Sequence, residues 1–238
     1  MLNILDTDNT KALREFDFFF ILDTFSGLGK QNISAINCAM RNVLLNLNQA
    51  QKTINDYLLN ISVMECGRGI RWQTIRPEPV SEFMWHDILP GGGHISWEKT
   101  ICELSAQLSR RRMLDSGNRK GRPVVVFISD TPLEWHFVKD RSNLHENKWY
   151  RNSYRVAITS DIECVEGLRA LIHAPFDCVV LEDINHLPLV LEDIIQTAVD
   201  LLPHNISVDS PLWEDDVLPG NFSDGLIWDV NEINWDIL

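Results

Sequence analysis

Asp23 directly follows the apolar run 18–22, which closes the strand-length segment 15–23, and Asp130 lies just past the apolar run 124–128; that placement gives a carboxylate an opening to do chemistry. In an open α/β sheet, ligands collect outside the carboxyl ends of the strands, near the point where strand order reverses. A Gly-Gly-Gly-His stretch at 91–94 offers a loop that can reach the same place, and Thr24 and Ser26 add hydroxyls beside Asp23. Carboxylates with hydroxyls are the hard oxygen donors that Mg²⁺ takes in near-octahedral geometry. Each aspartate alone is equally well explained as the cap of the turn after it. Without a cation the two carboxylates repel unless bonded or paired, and Lys30 and His94 are the nearest partners by sequence.

A second chemistry competes for the same residues. Residues 24–31 read Thr-Phe-Ser-Gly-Leu-Gly-Lys-Gln, which lies where a phosphate-binding loop would. That loop needs a glycine where Thr24 stands and a Mg²⁺-ligating hydroxyl where Gln31 stands, so nucleotide hydrolysis through Asp23, Lys30 and Asp130 is the weaker expectation. The seven histidines fall in no H-E-x-x-H spacing and no serine sits in G-x-S-x-G. Five cysteines at 38, 66, 102, 164 and 178 are scattered and never form a C-x-x-C pair, which predicts that most are small core residues rather than parts of a zinc site or disulfides.

The elements that must position these groups alternate. Residues 15–23 end in a continuous apolar run at 18–22, and 124–128 is another, the pattern of strands buried on both faces. Residues 31–53 carry apolar side chains at helical spacing (Ile33, Ile36, Met40, Val43, Leu47). Residues 57–66 and 69–75 alternate around Cys66-Gly-Arg-Gly69, predicting two strands joined by a tight turn and so an antiparallel sheet edge. Then come a Pro-containing loop at 77–90, a helix from a Ser96 N-cap to about residue 114, a linker at 115–122 and a helix over 134–147. The last units are a strand at 154–159, a capping box at 160–163 opening a helix to about residue 173, a strand at 178–181 and a helix at 187–202. The order predicts a doubly wound, mostly parallel α/β sheet with an antiparallel edge strand and helices on both faces.

In these segments the chain resembles the von Willebrand factor A domain, in particular the stand-alone cytoplasmic type of bacterial tellurium-resistance and stress-response operons. The resemblance runs over about residues 14–200. It rests on Phe19-Phe-Ile-Leu-Asp23-Thr-Phe-Ser-Gly followed by Ile33, Asn37, Ala39 and Leu44, on Arg119-Lys-Gly, on Val125-Val-Phe-Ile-Ser-Asp130-Thr-Pro, and on 147–158. Family members hold Mg²⁺ with D-x-S-x-S after the first strand, a middle-loop threonine and an aspartate after the fourth strand. The resemblance carries Asp23 and Asp130 over, but the serine positions hold Phe25 and Gly27 and the threonine position falls near Gly93. It therefore implies a degenerate metal site of Asp23, Ser26 and Asp130 holding Mg²⁺ weakly or not at all, with no other cofactor. It further implies a non-enzymatic interaction scaffold that binds other proteins of a multi-component bacterial stress-response or defence system. Divalent-metal-dependent ligand binding is the alternative.

Of 238 residues, 45% are hydrophobic and 23% charged, which suits one domain with a sizeable core, and no apolar run approaches the roughly 18 residues of a membrane span. With no leader-like pattern at the start, a cytoplasmic location is expected. The net charge of −13 disfavours nucleic acid and anionic membranes as partners. Eight acidic and no basic residues lie in 204–238, leaving 26 acidic against 21 basic in 1–203, a balance of −5. We accordingly divide the chain into an α/β domain, 1–203, and an acidic segment, 204–238. That segment carries Trp213, Trp228 and Trp235, with Asp229 and Asp236 beside the last two in a repeated Trp-Asp-aliphatic pattern spaced by seven. Aromatic anchors in an acidic chain fit a partner groove, and these five residues are the expected partner contacts; packing back on the domain is the competing expectation. Six of 13 positions in 110–122 are basic, which predicts a solvated, positively charged helix end.

Overall fold

The computed structural model describes residues 13–24, 29–67, 69–90, 95–113, 119–133, 143–172 and 178–202. Eight strands form one sheet: β1 (Arg14–Asp23), β2 (Tyr57–Cys66), β3 (Ile70–Trp72), β4 (Glu78–Pro79), β5 (Arg119–Lys120), β6 (Val124–Ile128), β7 (Tyr154–Thr159) and β8 (Cys178–Val180). The main order is β3-β2-β1-β6-β7-β8, with β4 on β2 and β5 on β1. β1, β2, β6, β7 and β8 run parallel, while β3 and β4 pair antiparallel with β2. The expected doubly wound sheet with an antiparallel edge is the observed one. Strand order reverses between β1 and β6, so Asp23 and Asp130 flank the switch point.

β1 is central, and period-two alternation splits its side chains between two cores. Phe16, Phe18, Phe20 and Leu22 join α1 (Gly29–Thr53) and α6 (Leu187–Asp200) on one face. Phe19 and Ile21 join α2 (Trp97–Gln107), α3 (Arg110–Met113), α4 (Lys148–Arg151) and α5 (Val165–Ile172) on the other. Phe18, Phe19 and Phe20 are fully buried, and each such side chain contributes about 1.5–3 kcal/mol of apolar transfer.

Several local expectations change. The loop at 77–90 contains β4 and is fastened to α1, with the Asn37 amide bonding the Ile88 carbonyl at 3.0 Å and Arg41 paired with Asp87. The helix expected to run to residue 114 ends at Gln107 and restarts at Arg110, and the Ser96 side chain makes no cap hydrogen bond. The linker at 115–122 contains β5, which pairs with the start of β1. Most of the helix expected at 134–147 lies outside the described residues; 143–146 are helical and Asn147 caps α4 through its carboxamide oxygen.

β5 also overturns the expectation of a wholly solvated basic end. Lys120 is only 6% exposed, pairs with Glu15, and donates to both carboxylate oxygens of Asp17 at 2.9 and 3.1 Å. The Asn60 amide donates to Asp17 at 2.8 Å. Register explains the placement. Glu15 pairs with Lys120 and Phe18 with Val124, so Phe16 and Asp17 face three residues, 121–123. That bulge shifts side-chain parity by one and turns Lys120 to the face holding Glu15 and Asp17. Arg112 is exposed, as expected of the patch.

Candidate functional site

The upper rim of the sheet, at the carboxyl ends of β1, β6 and β7, brings Asp23 and Asp130 to one edge. Asp23 is fully buried, and its Oδ2 accepts from the hydroxyls of Ser129 at 2.7 Å and Thr131 at 2.6 Å. Ser129 Oγ in turn accepts the Thr131 backbone N–H at 3.1 Å. The two residues flanking Asp130 thus clamp Asp23.

Asp130 is held from the next strand along. Its Oδ1 accepts from the Thr159 hydroxyl at 2.8 Å and the Ser160 backbone N–H at 2.5 Å, and its Oδ2 from the Ser160 hydroxyl at 2.6 Å. The Asn32 amide of α1 reaches Oδ2 at 3.3 Å. Charge-assisted bonds of this kind are roughly twice as strong as neutral ones. Beside them, Asn32, Asp130, Ser160, Leu181 and Ile184 line a cavity of about 10 Å³, room for a single water.

The Ser-x-x-Glu pattern assigns the cap of the next helix to Ser160. The cap is Asp161 instead, which accepts the Glu163 N–H at 2.9 Å ahead of α5, and so Ser160 is free to serve Asp130. Sequence reasoning misses Ser129, Thr131, Thr159, Ser160 and Asn32 as site residues. Their signal is present as hydroxyl-rich strand ends, Ser129-Asp130-Thr131 and Thr159-Ser160, but only strand order places the second pair beside Asp130.

Thr24 is turned away from the carboxylates. Its N–H and its hydroxyl both donate to the Cys66 carbonyl, at 2.7 and 3.1 Å. Gly67 makes this fit possible, since a Cβ there would stand 2.5 Å from Thr24 Oγ1. The Cys66 thiol is pushed up to about 12, by burial first and then by the charges of Asp23 and Glu65, against a bond from Thr100. Burial likewise pushes Cys164 to about 12, with Asp161 adding to it. Both are small core residues, as expected.

Ser26, Phe25, Gly27, Gly93 and His94 lie outside the described residues, as does the Lys30 side chain. So do Trp213, Trp228, Asp229, Trp235 and Asp236. Among the described residues no group of three or more His, Cys, Asp or Glu is placed to hold a metal. The described donors are oxygen-only, the type a hard cation takes. They do not fit a Mg²⁺ shell as they stand, because Asp23 Oδ2 and both Asp130 oxygens accept from protein donors and the Thr24 hydroxyl is spent on a carbonyl. Among the described residues, no helix is long and apolar enough to cross a membrane.

This architecture is that of a von Willebrand factor A domain. Proximal thread matrix protein 1 from the mussel byssus, with a zinc-occupied MIDAS motif, superimposes at TM-score 0.58 and 12% identity over 79% of this chain and 49% of its own. The von Willebrand factor type A protein from Catenulispora acidiphila gives 0.55 and 12% over 78% and 43%. The SpRpn10 VWA domain gives 0.50 and 15% over 76% and 94%. The chain spans about half the length of the first two. At these identities the likeness establishes the fold alone. No family model matches the sequence, and no curated protein does.

Proposed function

We propose that this chain is a non-enzymatic, cytoplasmic protein-interaction module that scaffolds partners in a bacterial multi-component stress-response or defence system, of the tellurium-resistance type. The observation that carries the reading is the closed rim: hydroxyls and an N–H from the neighbouring strand ends occupy the carboxylates where an A-domain would hold its cation. A rim organised in this way presents a fixed surface to a protein partner without asking for an ion. The acidic segment supplies a second contact, with Trp213, Trp228 and Trp235 as anchors and Asp229 and Asp236 beside them.

The oxygen-only donor set favours one other reading, divalent-metal-dependent ligand binding with Asp23, Ser26 and Asp130 as ligands. Calorimetric titration and thermal melts with Mg²⁺ and Mn²⁺ separate the two, because a ligand held only by the folded state raises its stability. The scaffold reading expects no saturable heat and no rise in Tm at millimolar ion. Saturable binding that Asp130→Asn abolishes overturns it in favour of the metal-dependent reading.

A further inference from the structure

Helix direction sorts the charge of this domain into two ends. α1, α5 and α6 all begin near the upper rim and end at the lower rim, where β1, β2, β6 and β7 start. The lower rim carries Lys52 in the last turn of α1, Lys148 and Arg151 on α4 just before β7, and Arg169 in the last turn of α5. All four are exposed, and none forms an ion pair with a described residue. Asp56, Glu146 and Asp200 are the exposed acids near them. The upper rim has the opposite sign, with Glu98, Glu163, Glu166, Glu182 and Asp183 exposed. Helix macrodipoles account for the sorting, since cations suit carboxyl ends and acids suit amino ends. They leave the four cations of the lower rim without carboxylate partners among the described residues.

The chain leaves the domain at this same rim. Beyond α6, the Leu202 carbonyl accepts the Tyr57 hydroxyl at 2.9 Å, next to the start of β2. The segment after that point, 204–238, has eight acids and no lysine or arginine. Six strands at about 4.8 Å spacing make the rim roughly 25–30 Å wide. Thirty-five residues reach far more than that at about 3.3 Å each. A tether starting on the rim also presents the acids at an effective concentration in the millimolar range, which an untethered polyanion does not match.

We propose that the lower rim is the docking surface for the acidic segment 204–238 of the same chain, whose carboxylates face Lys52, Lys148, Arg151 and Arg169. The inference rests on the fold and the charge distribution rather than on the scaffold reading, which draws on the tryptophans of the same segment.

The test is zero-length carbodiimide cross-linking of the full chain, read by mass spectrometry on the monomer band. At about 0.01 M salt, Lys52 and Lys148 form links to acids between 209 and 236, and Lys99 at the upper rim serves as the control. At about 1 M salt, where the screening length falls from about 30 Å to about 3 Å, those links fall several-fold. Links to Lys99 as frequent as those to Lys52 and Lys148, links only between chains, or none at all overturn the proposal. In the surface variant Lys52→Glu/Lys148→Glu/Arg151→Glu, amide exchange across 204–238 accelerates several-fold at low salt. Unchanged exchange overturns it as well. Inorganic polyphosphate added to the native chain competes and accelerates the same exchange; polyphosphate binding that leaves the exchange untouched reassigns the rim to an external polyanion.

Discussion

Lys120→Met tests the buried ion cluster beneath the switch point. Lys120, Glu15 and Asp17 are 6, 5 and 1% exposed, so the ammonium is the described cation holding two carboxylates in a largely dry interior. Removing one partner of a buried pair costs about 3–5 kcal/mol, because the remaining charge stays buried without compensation. For a domain of the span 13–202, 1 kcal/mol moves Tm by about 2–4 °C, so a fall of roughly 6–20 °C is expected by calorimetry. Glu15→Gln/Asp17→Leu/Lys120→Met, which removes every charge of the cluster, should recover most of that loss. The pH dependence supplies a second arm. Burial by itself lowers the Lys120 pKa, but the Asp17 charge and the hydrogen bonds of Glu15 and Asp17 outweigh it and the net direction is upward from 10.5. With the folded value above the unfolded one, the contribution is complete below about pH 10.4 and fades as pH rises through the folded value. The stability gap between native chain and Lys120→Met should therefore be flat from about pH 6 to 10 and shrink above. A single variant within about 1 kcal/mol of the native chain, or a gap that closes toward neutral pH, refutes the reasoning.

Gly67→Ala should cost about 1–3 kcal/mol in chemical denaturation, because its Cβ would stand 2.5 Å from Thr24 Oγ1 and drive that hydroxyl off the Cys66 carbonyl. Adding Thr24→Ala, which deletes the clashing oxygen, should return part of the loss, and a double variant no better than the single would contradict the contact. N-ethylmaleimide at about pH 8 should label Cys38 and Cys102, which are exposed, within minutes. It should spare Cys66 and Cys164, buried and pushed to about 12, along with buried Cys178, until the chain is denatured.

Particular residues show why the architecture is readable in the sequence and the site only in part. Unbroken apolar runs at 18–22 and 124–128 have one sensible home, the centre of a parallel sheet, and the aspartate after each then falls at a carboxyl end. What closes those aspartates is not local. Ser129 and Thr131 act across β1, and Thr159 and Ser160 act across β6, so their roles exist only once strand order is known. Ser160 misleads because Ser-x-x-Glu and Asp-x-Glu overlap at one helix start, and the second prevails. β4 and β5 are two residues each, too short for any period to register. The basic run at 110–122 hides Lys120, whose burial depends on one extra residue in the pairing of β1.

That extra residue behaves like slack in a line. Deleting Arg122 would leave two residues opposite Phe16 and Asp17, the ladder would run on evenly from β5 to β6, and Lys120 would keep its place opposite Glu15, on the face that holds Asp17. With all three residues present, an evenly running ladder would instead carry Lys120 one step down to Arg14, onto the side of Phe16 and Phe18, and leave Glu15 and Asp17 facing each other. The ion cluster therefore decides where the slack is taken up. Chains descended from a common ancestor with this one should tolerate either two or three residues in the stretch, provided the lysine and the two acids stay.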